Sequence, residues 1–286
     1  MSLILGTANF SKNYGTFSLK NQDENELKTL IEFAQKNGLN HFDSAREYKG
    51  VDKILGKYLN KSIPVDIDTK ISLQDCTTTS TIISSIKESL DKIGIDKFTT
   101  VYLHDQSLIV NDNSNVVKSG LEMALELGLT SYIGVSVYTK EDLINCKKIF
   151  SKFTRFQITE NICDRRLIKS PELTAISESG SQIDVRSIFL QGLLLAEPQK
   201  IPDYLIMSKY CIKKFIHYSE TYKISRLDLC ISYAKLIKWA KNIVIGADSM
   251  MQLQDIINSE YDLPLNWNLE IPTLPRYLMD PRNWQK

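Results

Sequence analysis

A closed (β/α)8 barrel, folded as one domain over residues 1–286, is the architecture the sequence predicts, and three observations carry that expectation. Short apolar runs of strand length alternate with longer stretches of helical spacing, which places parallel strands beside crossover helices. The runs number eight, enough to close such a barrel, and they are near-continuously apolar, as strands covered on both faces must be. The turn after the first run reads Gly6-Thr7-Ala8-Asn9-Phe10 and lacks the G-x-G-x-x-G spacing of an open dinucleotide-binding sheet.

The first run, 3–7, leads through that turn toward a helix at 24–37, where apolar residues recur at spacings of three and four. Gly38 ends this helix as a C-terminal glycine in the left-handed conformation, and the second run follows at 39–43. The third run, 65–71, precedes a helix at 80–93; the fourth, 99–104, precedes one at 116–127, which Gly128 ends. A fifth run at 132–137 is followed by a helix at 140–149, and the sixth and seventh runs lie at 155–159 and 183–189. An extra helix fits at 204–222, before a helix at 227–239 whose Leu227, Cys230, Ala234 and Ile237 line one face. The eighth run is 243–245. From Asp262 onward, Pro264, Pro272, Pro275 and Pro281 predict an extended C-terminal tail without regular structure, either covering one barrel end or wrapping the surface.

Composition narrows the function. Hydrophobic residues make up 43% and charged residues 24%, ordinary values for a soluble globular protein with ample core. Lys plus Arg, 35, nearly balances Asp plus Glu, 34, so no global field draws nucleic acid or an anionic membrane, and the expected partner is a small molecule. The five cysteines, Cys76, Cys146, Cys163, Cys211 and Cys230, form no CxxC pair, which argues against zinc or a disulfide framework and for a reduced cytoplasm. Met1 runs directly into Leu3-Ile4-Leu5-Gly6 without a basic leader, and no stretch reaches the ~18 apolar residues of a membrane span. A cytoplasmic monomer or small homo-oligomer is expected.

In this architecture the loops after the strands share one mouth, so polar residues at strand ends are the candidates for chemistry. The second run ends in Asp43, with Tyr48 shortly after; the third ends near Lys70 and the fourth in His104. A phenol, pKa ~10 when unperturbed, is a poor acid near neutrality, but an ammonium beside it makes it a better one. Lys70 can do this for Tyr48, Asp43 can hold Lys70 charged and aimed, and His104 can orient a carbonyl toward the phenol. No side chain supplies a hydride, so the assembly implies a nicotinamide cofactor. Taken singly, Asp43 and Lys70 read as a structural ion pair and His104 as a rim histidine. Their joint placement at consecutive strand ends is what points to a site.

These residues resemble the aldo-keto reductase family along most of the chain. Phe42-Asp43-Ser44-Ala45 with Tyr48, followed by Leu55-Gly56, is similar to the family signature around its catalytic Asp and Tyr, and Lys70 and His104 complete the tetrad. Gly6-Thr7-Ala8 resembles the opening strand and turn, Ile133-Gly134-Val135-Ser136 the fifth-strand motif, and Gln157 with Asn161 and Asp164-Arg165 the segment after it. Ile245-Gly246-Ala247 with Gln252-Leu253 resembles the last cofactor segment. The resemblance implies a TIM barrel binding NAD(P)H in extended form, with Asp43, Tyr48, Lys70 and His104 catalytic. It further implies cofactor contacts from Gly6, Thr7, Asp43, Gly246 and Gln252, with Ser136 and Gln157 on the nicotinamide carboxamide. Without the resemblance, Ser136 reads as a strand-end hydroxyl and Gln157 as a polar rim residue.

Three departures from the family pattern stand out. Val137 replaces the usual Asn of the carboxamide grip, and Arg186 stands where many members have an aromatic ring stacked on nicotinamide. A guanidinium can also stack, yet it adds positive charge; Arg186 is otherwise a group for an acidic substrate or cofactor phosphate, or a strand-end ion pair. No basic residue follows the last strand in Gly246-Ala247-Asp248-Ser249-Met250-Met251-Gln252, so Asp248 reads either as a selector for NADH over NADPH or as a helix N-terminal charge.

The expected function is NAD(P)-dependent reduction of a carbonyl, or oxidation of an alcohol, on a small polar and sugar-derived compound. The alternatives from the same residues are an epimerase with retained cofactor and a non-catalytic binding or regulatory protein.

Overall fold

The computed structural model describes residues 1–11, 15–17, 23–111, 114–264 and 267–284. Eight parallel strands close into a barrel in sequence order. They are β1 (Ser2–Gly6), β2 (His41–Asp43), β3 (Asp66–Ile71), β4 (Phe98–Leu103), β5 (Thr130–Val137), β6 (Arg155–Thr159), β7 (Gln182–Arg186) and β8 (Asn242–Ile245). Around them run α1 (Glu24–Lys36), α2 (Val51–Tyr58), α3 (Thr79–Ile93), α4 (Ser107–Val110), α5 (Ser114–Glu126) and α6 (Lys140–Ile149). The ring continues with α7 (Pro171–Glu178), α8 (Lys209–Tyr222), α9 (Arg226–Lys235), α10 (Met250–Ile257) and α11 (Trp267–Glu270). Among the described residues, no helix is long and apolar enough to cross a membrane.

Local chemistry explains the element boundaries. Asp23 caps α1 in a capping box with Glu26, and Thr78 does the same for α3 with Thr81. Gly38 and Gly128 end their helices at φ 78° and 69°, in the left-handed conformation the sequence predicts for both. The helices bury Leu27, Leu30 and Ile31 of α1 and Ile82, Ile86 and Leu90 of α3 against the outside of the strands. At the N-terminal end of the barrel the interior turns polar. His41 Nε2 lies 2.8 Å from Asp68, and Asp184 accepts from Asn242 Nδ2 at 2.9 Å, while burial pushes the Asp184 carboxyl up to about 6.

Three expectations change. The seventh strand stops at Arg186 rather than running to 189, because Ser187, Leu190 and Gln191 take positive φ values of 64°, 48° and 52° and coil the chain into successive tight turns. The inserted helix, α8, begins only at Lys209, after a 3-10 segment at Asp203–Ser208. The tail is not devoid of regular structure: it forms α11 and 3-10 turns at Arg276–Leu278 and Pro281–Asn283, while residues 265–266 and 285–286 lie outside the described residues.

That tail both wraps the surface and reaches the mouth. Arg165 Nη1 donates to Ile271 O at 2.7 Å and Leu274 N to Cys163 O at 2.9 Å, fastening it along the loop after β6. Its far end brings Arg282 to Asp105, just past β4, at 3.0 Å.

Candidate active site

Asp43 is the last residue of β2, and its carbonyl accepts from both the amide and the hydroxyl of Thr7, at 2.9 and 3.0 Å. This fixes the carboxylate against β3, where Lys70, 3% exposed, donates to both Asp43 oxygens at 2.5 Å and to Ser44 O at 3.2 Å. A buried lysine chelated by a buried carboxylate is held in place, since neither partner has water to exchange for the other.

The loop from Ser44 to Tyr48 is built by backbone hydrogen bonds back to β3. Ser44 N donates to Asp68 O at 2.9 Å and Arg46 N to Lys70 O at 3.0 Å; Tyr48 N then closes a turn on Ala45 O at 2.9 Å. Arg46 pins the loop from outside, donating to Asp75 at 2.7 Å, to Ser85 O at 2.6 Å, to Ser89 Oγ at 2.9 Å and to Glu88 at 2.9 Å. Tyr48 is thereby presented edge-on to His104, ring centroids 6.2 Å apart and planes at 89°. His104 follows β4, its amide donating to Ile71 O at 2.9 Å, and its Nδ1 lies 3.1 Å from Glu47 Oε2. That contact holds the Glu47 carboxyl below the usual carboxylate range.

These side chains open onto one cavity of about 450 Å3. Asp43, Tyr48, Lys70 and His104 line it together with Ser136 near the end of β5, Gln157 in the middle of β6 and Arg186 at the end of β7. Gly6, Gly246, Asp248 and Gln252 line its extension toward β8 and α10. All the sequence-predicted residues but one therefore share a wall; Thr7 is fully buried outside the lining and serves Asp43 instead.

Gln157 is wholly buried and donates its amide nitrogen to Asp43 Oδ1 at 2.6 Å. A carboxylate only accepts, so this bond fixes which end of the amide faces Asp43 and leaves Oε1 to seek a donor elsewhere. That oxygen is buried without a partner. An acceptor so placed fits the NH2 of a primary carboxamide, as the nicotinamide end of NAD(P)H carries. At the other end, Asp248 accepts from Asn9 Nδ2 at 2.7 Å, and its amide donates to Gln252 Oε1 at 2.8 Å.

Sequence reasoning passed over Arg46, Glu47, Asn9, Tyr138 and Arg282. Tyr138 carries two guanidinium groups against its ring, Arg186 at 4.3 Å and Arg282 at 3.7 Å. The one signal available in the sequence was the adjacency of Glu47 to Tyr48 and of Tyr138 to Val137.

Comparison with known proteins concerns the family and the fold of the whole chain. The profile of the Aldo/keto reductase family matches residues 2–266. No curated protein matches the sequence. Among solved structures, the thermostable aldo-keto reductase Tm1743, determined with the inhibitor epalrestat, superposes with a TM-score of 0.71 at 18% identity, covering 93% of this chain and 92% of that one. The aldo-keto reductase AKR11C1 from Bacillus halodurans, in its holo form, gives a TM-score of 0.73 at 18% identity over 94% and 90% of the two chains.

Proposed function

Since the chain belongs to the aldo/keto reductase family, and is therefore an oxidoreductase acting on carbonyls with NAD(P)H, we propose that Asp43, Tyr48, Lys70 and His104 carry its chemistry. The observation that carries this reading is the chelated Lys70, held by both Asp43 oxygens beside the loop that presents Tyr48. NAD(P)H, when bound, would supply the hydride. Tyr48 gives its hydroxyl proton to the carbonyl oxygen, and the fixed charge of Lys70 stabilises the phenolate left behind. Asp43 keeps Lys70 in place and orients Gln157 through its other bond. His104, backed by Glu47, donates to the same carbonyl oxygen and aligns it with the phenol.

For the cofactor, Gln157 Oε1 and Ser136 hold the carboxamide; Gly6 and Gly246 leave room for close approach, and Gln252 and Asp248 border the adenosine end. A Cβ on Gly246 would meet Asn9 Nδ2 at 3.3 Å, so a side chain there would crowd a residue that lines the same cavity. An acidic Asp248 with no basic residue nearby in 246–252 disfavours a 2′-phosphate, and we read the preference as NADH over NADPH. The substrate is a small polar carbonyl or alcohol, and sugar-derived compounds are the first class to screen. All five cysteines are free, which supports a reducing compartment.

The test is cofactor titration followed by Tyr48→Phe. NADH binding is expected to persist in the variant while carbonyl reduction falls by ~100-fold or more, the contribution of a positioned proton donor. Undiminished turnover in Tyr48→Phe would remove Tyr48 as the donor, and clearly tighter NADPH binding would reverse the reading of Asp248.

A further inference from the structure

Arg186, which also lines the cavity, carries a second orphaned atom whose type is complementary to Gln157 Oε1. Arg186 Nε is buried without a hydrogen-bond partner, while Nη1 donates to Ser187 Oγ at 3.3 Å and Nη2 to Val137 O at 3.2 Å. No ion pair joins Arg186 to a carboxylate among the described residues. A guanidinium placed thus keeps both an unused donor and an uncompensated charge. Arg282, the other guanidinium on the Tyr138 ring, is by contrast paired with Asp280 at 2.8 Å and Asp105 at 3.0 Å.

Strand register puts the two orphans on one face. Gln157 of β6 pairs with Asp184 of β7, and Thr159 pairs with Arg186, two residues further along. Side chains two apart on a strand point the same way, so Arg186 stands one layer nearer the mouth than the level of Gln157. A primary carboxamide carries an NH2 donor and a C=O acceptor, the two functions these buried atoms lack. The position adjoining Ser136 is Val137, whose side chain cannot hydrogen-bond and whose carbonyl already accepts from Arg186.

We propose that Arg186 takes over the carboxamide grip that Val137 cannot provide, donating to the nicotinamide carbonyl and, through its charge, favouring reduced over oxidised cofactor. Tyr138, backed by Arg282 of the tail, positions the guanidinium. The charge argument is simple electrostatics. The oxidised nicotinamide ring is a cation and the reduced ring is neutral, so a fixed guanidinium beside it repels only the oxidised form. The inference rests on the cofactor reading given above and specifies one contact within it.

The test uses the full chain and isothermal titration calorimetry with three ligands: NADH, NAD+ and ADP-ribose, which lacks the nicotinamide. Wild-type protein is expected to bind NADH more tightly than NAD+. In Arg186→Met, NADH binding should weaken about tenfold, the scale of a lost charged hydrogen bond, and the NAD+/NADH discrimination should shrink several-fold, with ADP-ribose unchanged. Arg186→Lys keeps the charge without the planar fork, so it should retain the discrimination while weakening NADH. Equal NADH affinity in wild type and Arg186→Met, or a matching loss for ADP-ribose, overturns the assignment. If wild-type protein binds none of the three, the cofactor reading itself has failed, a result distinct from failure of this contact.

Discussion

Gln157 and Asp43 are joined across the barrel by a 2.6 Å hydrogen bond that ties β6 to the carboxylate holding Lys70. Asp43 divides its carboxylate between Lys70 and Gln157, so one buried group orients both an ammonium and an amide. The residues are 114 positions apart in sequence, and only closure of the sheet brings them together.

Replacing Gln157 with Leu should therefore weaken cofactor binding more than it disturbs Lys70, which keeps its contacts with both Asp43 oxygens. A loss of about tenfold in NADH affinity is expected for one buried hydrogen bond. Fluorescence quenching by NADH, with ADP-ribose as control, would measure it; equal NADH affinity in variant and wild type contradicts the assigned orientation.

Glu47→Gln removes the charge beside His104 while preserving size. Glu47 is 54% exposed on its side chain, so solvent screening limits the effect to ~0.5–1 kcal/mol, a few-fold in kcat/KM. The wild-type advantage should shrink at high ionic strength. A drop of a hundredfold or more would mean that Glu47 takes part in the chemistry directly.

Gly56 sits where α2 meets the end of α3, and a Cβ there would lie 2.2 Å from Lys92 O. Backbone cannot yield as a flexible side chain can, so Gly56→Ala should cost ~1–3 kcal/mol. The urea midpoint should fall with unchanged slope. Gly38→Ala meets nothing within 4 Å and pays only for its φ of 78°, so ~1–2 kcal/mol is expected from conformation alone.

Glu160 is completely buried after β6, accepting from Ile168 N at 3.0 Å and the Tyr233 hydroxyl at 2.6 Å. Burial outweighs these donors and pushes its carboxyl from 4.5 up to about 8. Between those values the unfolded chain has released a proton that the folded chain retains, so this group's contribution to stability falls as pH rises from about 4.5 to about 8. Glu160→Gln cannot ionise and should lose less stability between pH 5 and pH 8 than wild type, as read by urea denaturation. An identical pH dependence in the two proteins rules out Glu160 as the source.

Much of this site was legible because its residues end strands. Asp43, Lys70 and His104 each fall at or near the close of an apolar run, and a parallel barrel gathers such positions at one mouth, whereas Ser136 and Gln157 were marked only by the family resemblance. Arg46, Glu47 and Tyr138 were not legible, since their roles depend on which distant loop they meet. The seventh strand was overextended for a related reason: Ile188, Phe189 and Leu190 are apolar, but they are buried through tight turns lining the cavity rather than as a strand.

What the sequence determined by itself is the periodicity, and with it the barrel, the order of its strands and the residue types offered at each strand end. Local patterns carry that information because side-chain alternation and helical spacing repeat within a few residues. What only the tertiary structure decided is pairing: that Gln157 bonds Asp43, that Arg282 of the tail backs Tyr138 against Arg186, and that Thr7 serves the main chain rather than the cavity. Hydrogen bonds and cation–ring contacts act over a few ångströms, so their partners exist only once closure has set those distances.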